Sequence, residues 1–196
     1  MSIFYLIRHA NNDWVGKAIA GWTPGVSLNA EGGEQAERLS RTLQRRGITH
    51  ICSSPLERAL ETAAPVAKAL GLQVEVHHAL GEFQFGEWTG KSIDVLDRDP
   101  RWRIFNTNRG GTRAPGGESM LETQTRIVTD LECLRAQHPR ETVAVVSHGD
   151  PIRAALLYYL GMPIDFYARL EVAPASFSRV ESEDWGVRVL SINEEA

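Results

Sequence analysis

Two histidines stand where apolar runs stop. Ile3–Ile7 (IFYLI) breaks off at Arg8-His9, and Thr142–Val146 (TVAVV) leads through Ser147 to His148. A third segment, HICSSPLERALETA, places Ser53 and Ser54 after a short β-rich run and Arg58 one turn inside the pattern that follows. Two imidazoles and two guanidiniums brought to one spot make an anion trap. Guanidinium forks match phosphate oxygens, and helix N-termini add backbone N–H groups with a favourable dipole. Taken singly, a histidine at a strand end is an ordinary hydrogen-bonded residue, and Arg58 is a solvated helix residue. The joint recurrence at equivalent positions is what points to phosphate.

For these side chains to meet, the runs must be neighbouring strands, because open parallel sheets bind ligands beyond their carboxyl ends. Ile3–Ile7, Thr49–Cys52 and Thr142–Val146 each precede a helical pattern, which predicts an α/β fold: a three-layer α/β/α sandwich with a mostly parallel sheet. The first helix carries Ala36, Leu39 and Leu43 on one face and stops at Gly47. The second starts near Pro55, shows Leu56, Leu60 and Ala63, and ends at Gly71, with a kink or restart expected at Pro65. A third is predicted through Met120, Leu121, Gln124, Ile127, Val128, Leu131 and Leu134. The fourth follows Pro151 and runs to Gly161. Val74–Val76 reads as a short strand, and Ser176–Val180 and Val187–Ile192 as edge strands. Residues 91–117 form an Arg- and Gly-containing excursion, read as an insertion over the site.

Composition restricts the function classes. The 196 residues suit a single domain, 1–196, able to bury roughly 70% of its unfolded surface without staples. A net charge of −4 gives no reason to expect nucleic acid or membrane as partner, so any anion site is a local basic pocket. Cys52 and Cys133 form neither a zinc spacing nor a disulfide framework. The N-terminal apolar stretch is too short for a signal core or a membrane span. A cytoplasmic protein is expected.

The stretches LIRHA, SSPLERALETA, EFQFGEWTG and VVSHGDPIRAAL, in this order and over nearly the whole chain, resemble the histidine phosphatase superfamily and its phosphoglycerate-mutase-like fold. GWTPGVSLNAEGGEQA and PGGES resemble further segments of that family. The resemblance implies a metal-independent phosphatase without cofactor, in which His9 attacks phosphorus to give a phosphohistidine. It also implies that Arg8, Arg58 and His148 hold the phosphoryl oxygens; Asn11, Gly149 and Ser53 are further candidate substrate contacts. Ser53 has the alternative of a turn residue capping the second helix. An alkoxide leaving group needs a proton donor, for which Glu75, Glu82 and Glu87 are candidates. Residue chemistry leaves Glu82 and Glu87 even; the family pattern Leu-x-Glu-x-x-Phe-Gly-x-Trp-x-Gly selects Glu82. Ala10, the Asn11-Asn12 pair, Val15 and Thr89 depart from the common pattern, so one polar phosphoryl contact is missing unless Asn11 or Asn12 supplies it.

The expected substrate is a small phosphomonoester, and the chain is compatible with a homodimer. Trp14, Trp22, Phe85, Trp88, Trp102 and Phe105 flank the motifs as pocket or packing residues, with packing favoured for Phe85 and Trp88. Arg98, Arg101, Arg103, Arg109 and Arg113 read as a solvated surface, with contact to a second acidic group as the alternative. Three rival functions remain: phosphoglycerate mutase-type transfer, a non-catalytic phosphoanion-binding module, and metal-assisted hydrolysis on His9, His148 and Glu82. The compact chain disfavours the mutase, and Arg8 and Arg58 would repel a metal cation.

Overall fold

The computed structural model describes Met1–Ala196. Its strands are β1 (Ser2–Arg8), β2 (His50–Ser53), β3 (Val74–Val76), β4 (Thr142–Ser147), β5 (Phe177–Glu183) and β6 (Gly186–Glu194). They form one six-stranded sheet in the order β3-β2-β4-β1-β5-β6. The first four in that order run parallel. β5 and β6 add an antiparallel pair beyond β1; of the two C-terminal pieces read as edge strands, β6 is one, while β5 is paired on both sides.

The helices are α1 (Ala30–Leu43), α2 (Glu57–Leu70), α3 (Ile93–Leu96), α4 (Pro100–Thr107), α5 (Met120–Gln137) and α6 (Gly149–Tyr159). Alternation along the central strands explains the three layers. Phe4, Leu6, Val143 and Val145 face one way and pack with Ile127, Leu131 and Leu134 of α5 and Ile152 and Leu156 of α6. Tyr5, Ile7, Ala144 and Val146 face the other way, against Leu39 and Leu43 of α1 and Ala59, Ala63 and Val66 of α2. Strands buried on both faces read as unbroken apolar runs, which is why they are visible in the sequence.

Local signals set the helix ends. Asn29 Oδ1 accepts the Gly32 N–H at 2.9 Å to open α1, and Ser119 and Glu122 form a reciprocal capping box at the start of α5. Gly71 closes α2 in the left-handed region, at φ +68°. Pro65 does not restart that helix, which continues through it. The carbonyl deprived of its donor belongs to Glu61, an exposed residue, while buried Ala63, Val66 and Ala67 hold the helix on the sheet.

The 91–117 excursion folds back on the body. Its Trp102 and Phe105 join Phe83, Phe85 and Trp88 in a third apolar cluster. No helix is long and apolar enough to cross a membrane.

Candidate active site

Parallel register brings three chain segments together at one sheet edge. Arg8 ends β1 opposite Ser147 of β4. The His9 N–H donates to Ser147 O, and the Ser54 N–H donates to Val146 O, each at 2.9 Å. The His9 and His148 rings consequently lie with centroids 5.1 Å apart. Arg58 reaches the same place from the first turn of α2. A cleft of about 160 Å³ opens here, with Arg8, His9, Arg58, Glu82 and Gly149 on its walls. His148, fully buried, lies behind this surface with its ring against His9.

Hydrogen bonding assigns the ring nitrogens. His9 Nδ1 lies 2.8 Å from the Ala10 carbonyl; a carbonyl only accepts, so Nδ1 carries the proton and Nε2 keeps its lone pair. Burial holds the His9 pKa well below 6.5, reinforced by the positive charges of Arg58 and Arg8. The ring is thus neutral at physiological pH, with a free lone pair on Nε2. His148 is lowered in the same direction, chiefly by burial and then by Arg58. Its Nε2 lies 2.7 Å from Ser54 Oγ, and that oxygen already accepts the Leu56 N–H. When the Ser54 hydroxyl donates to Nε2, the His148 proton resides on Nδ1.

Three buried donors in this cluster have no protein partner: Arg8 Nε, Arg58 Nη1 and His148 Nδ1. The remaining bonds of the arginines fix their aim. Arg8 Nη1 donates to Val172 O at 2.6 Å, and Arg58 Nη2 to Gly21 O at 2.8 Å. Unsatisfied buried donors are costly; an oxyanion in the cleft would meet the Arg8 and Arg58 guanidiniums on its walls, with His148 behind them. Gly149, first residue of α6, lies on the cleft wall between two guanidiniums: a Cβ there would be in ordinary van der Waals contact, 3.5 Å from Arg8 Nε and 3.6 Å from Arg153 Nη1.

Of the three candidate carboxylates, only Glu82 lies on the cleft wall, with Oε2 3.9 Å from His148 Nδ1. Burial pushes its pKa up to about 7, the Asp150 charge adds to the rise, and Arg58, the Phe83 N–H and Arg8 oppose it. Trp22 Nε1 and Arg126 Nη2 both donate to the Glu82 carbonyl, fixing its backbone. Glu87 pairs with Arg101 in solvent, and Glu75 is exposed on β3.

Asn11 and Ser53 stay out of the cleft. Asn11 Nδ2 donates to Glu31, and Ser53 Oγ donates to the Ser54 carbonyl. Their sequence neighbours come closer: buried Asn12 lines the cleft, and Ser54 holds His148. Among the aromatics, Trp14 and Phe85 line the cleft, Phe85 while also packed in the third apolar cluster, where Trp88, Trp102 and Phe105 lie. Ile93 is the contribution of the 91–117 excursion to the wall. Arg101 and Arg113 make surface ion pairs, Arg103 bonds the Asp97 carbonyl, and Arg109 stacks on Phe105 and Tyr167 beside Asp150. The guanidinium on the cleft wall beyond the phosphate donors is instead Arg153, held by Leu170 O and Tyr167 Oη at 2.8 Å each.

Residues 4–195 match the family model of the histidine phosphatase superfamily, branch 1. Phosphoserine phosphatase 1 of Hydrogenobacter thermophilus is 31% identical over 96% of this chain and 90% of its own. A probable phosphoglycerate mutase, GpmB, of Escherichia coli is 32% identical over 92% and 85%. The structure of a mycobacterial glucosyl-3-phosphoglycerate phosphatase superimposes with a TM-score of 0.89 at 26% identity, covering 98% of this chain and 99% of that one. With such coverage from end to end, the chain belongs to the histidine phosphatase superfamily.

Proposed function

We propose that this protein hydrolyses a small phosphomonoester through a phosphohistidine formed on His9 Nε2. The observation that carries the reading is the convergence of three partnerless buried donors, Arg8 Nε, Arg58 Nη1 and His148 Nδ1, around a histidine held neutral. In the first step His9 Nε2 attacks phosphorus, the ester P–O bond breaks, and Glu82 gives its proton to the leaving oxygen. In the second, the Glu82 carboxylate takes a proton from water, whose oxygen displaces His9 and releases inorganic phosphate. The donors neutralise charge on the equatorial oxygens in both steps.

A substrate with a second charged group is supported by Arg153 and Asp150, which both line the cleft beside Arg8 and Arg58. Asp150 is already engaged by Arg109 and the Tyr167 hydroxyl, so Arg153 is the wall group suited to a second anion. A phosphomonoester with a carboxylate fits, as do the phosphoserine and phosphoglycerate units in the names of the relatives. Action on metabolites in the cytoplasm belongs to the same reading and rests on composition.

Incubation with a labelled phosphomonoester and acid-free quenching should trap acid-labile, base-stable phosphate on the wild-type chain and none on His9→Ala. Label retained by that variant excludes His9 as the attachment point. The GpmB resemblance supports a mutase as second reading; isomerisation of 3-phosphoglycerate without phosphate release would establish it over hydrolysis.

A further inference from the structure

At the opposite end of the sheet, away from the cleft, two imidazoles and a carboxylate converge. His50 opens β2, Glu141 immediately precedes β4, and His138 caps the C-terminus of α5. Glu141 Oε2 lies 2.6 Å from His50 Nδ1 and 3.7 Å from His138 Nδ1. The two rings meet with centroids only 3.8 Å apart, and one ligand atom from each residue falls within 4.8 Å of the other two. We propose that His50, His138 and Glu141 bind a divalent transition-metal ion of the zinc type, with solvent completing its coordination.

The donor set suits such an ion: two neutral imidazole nitrogens and one carboxylate oxygen. Tetrahedral bonds of 2.0–2.2 Å place donors about 3.3 Å apart. The separations of 2.6 and 3.7 Å lie on either side of that value, and the third pair lies within 4.8 Å, so an ion replacing the His50–Glu141 hydrogen bond needs side-chain adjustments of no more than about 1.5 Å. The backbone is already fixed. The His138 N–H donates to Leu134 O at 2.8 Å and the Thr49 N–H to Thr142 O at 2.9 Å. Ser2 Oγ donates to His138 O and accepts the Arg140 N–H, each at 3.1 Å, pinning the turn between α5 and β4. Thr49 Oγ1, 3.1 Å from Glu141 Oε2, supplies the second hydrogen-bonding shell that metal-bound carboxylates require. All three ligands are partly open to solvent, which gives the ion an entry path.

The six residues of β4 separate the cluster from the cleft, a distance of about 20 Å at 3.3 Å per residue. The ion would therefore clamp the end of α5 to β2 and β4 and take no part in phosphate chemistry.

The test is zinc and cobalt titration of the chelator-stripped full chain near neutral pH. Expected are one ion per chain with Kd near or below about 1 μM and visible ligand-field bands from Co²⁺. At about 100-fold excess over Kd, the melting temperature should rise by roughly 5–10 °C. His50→Ala and His138→Ala should each weaken binding by at least about tenfold, and both should release phosphate at the wild-type rate. His77→Ala, which disrupts the separate Cys52–Glu75–His77 group, should bind zinc as wild type does. On the wild-type chain alone, histidine ring NMR should show zinc moving the Nδ1 signals of two residues out of six. Absence of saturable binding, binding undiminished in the His50→Ala/His138→Ala double variant, or loss of binding in His77→Ala would overturn the proposal.

Discussion

Glu82→Gln should make the protein more stable at alkaline pH while removing most of its activity. The wild-type carboxyl is buried in the cleft, and its pKa stands at about 7 against an ordinary 4.5. A raised carboxyl pKa means that the folded state holds its proton more tightly than the unfolded chain. The stability it allows is complete below pH 4.5 and declines as pH rises towards and through 7. The rise of about 2.5 pH units, at 1.36 kcal/mol each, corresponds to a loss of about 3 kcal/mol on the alkaline side. Glutamine carries no such penalty, and its carbonyl can still accept the Phe83 N–H that Glu82 Oε1 accepts at 2.8 Å. The variant and the wild type should therefore melt close together at pH 5 and diverge by roughly 6–12 °C at pH 8.5, for a chain of this size.

Thermal melts of both proteins between pH 5 and 8.5 measure this directly. The same variant should hydrolyse alkyl phosphates about 10²–10⁴-fold more slowly and lose far less against aryl phosphates, whose leaving groups depart without a proton. A melting difference that stays constant across the pH range would refute the burial argument for Glu82. Equal activity losses for alkyl and aryl substrates would remove its role as acid.

The remaining expectations concern the other groups of the cleft. Because His9 stays neutral well below pH 6.5, kcat/KM for alkyl phosphates should fall on the alkaline side, above about pH 7, and Glu82→Gln should abolish that limb; a pH–rate profile in which the limb survives the substitution contradicts the assignment. Ser54→Ala strands His148 Nε2 inside the protein and should lower stability by about 1–3 kcal/mol, measurable by denaturant titration. Arg153→Met should raise KM for carboxylated phosphomonoesters by about 10- to 100-fold, the worth of a charged hydrogen bond, and leave phenyl phosphate little changed. Equal effects on both would show that Arg153 only supports Tyr167.

What the sequence made legible, and what it did not, divides along the range of the forces involved. Arg8, His9 and His148 stand out because buried parallel strands are apolar on both faces, so a polar residue at their end is conspicuous. That β4 lies between β2 and β1 depends on packing between residues far apart in the chain, which no local pattern encodes. The choice between Glu82 and Glu87 is of the same kind. Both sit in one polar-aromatic stretch, and the decision is made by Arg126 on α5 holding the Glu82 carbonyl, while Arg101 draws Glu87 into solvent. Asn11 is turned aside by Glu31 of α1, a contact invisible from its own neighbourhood. Ser54 and Arg153 differ in that local periodicity does carry their signal. Strand alternation through Ile51, Cys52 and Ser53 puts Ser54 on the opposite face from Ser53, and Arg153 follows Gly149 at the i,i+4 spacing that shares a helix face. A Cβ on Gly149 would indeed lie 3.6 Å from Arg153 Nη1. Once Gly149 is placed at the phosphate site, the same turn of α6 commits Arg153 to the wall next to it. On the proposed function, the group that would read the rest of the substrate thus shares a helix face with Gly149, beside the proposed phosphate donors.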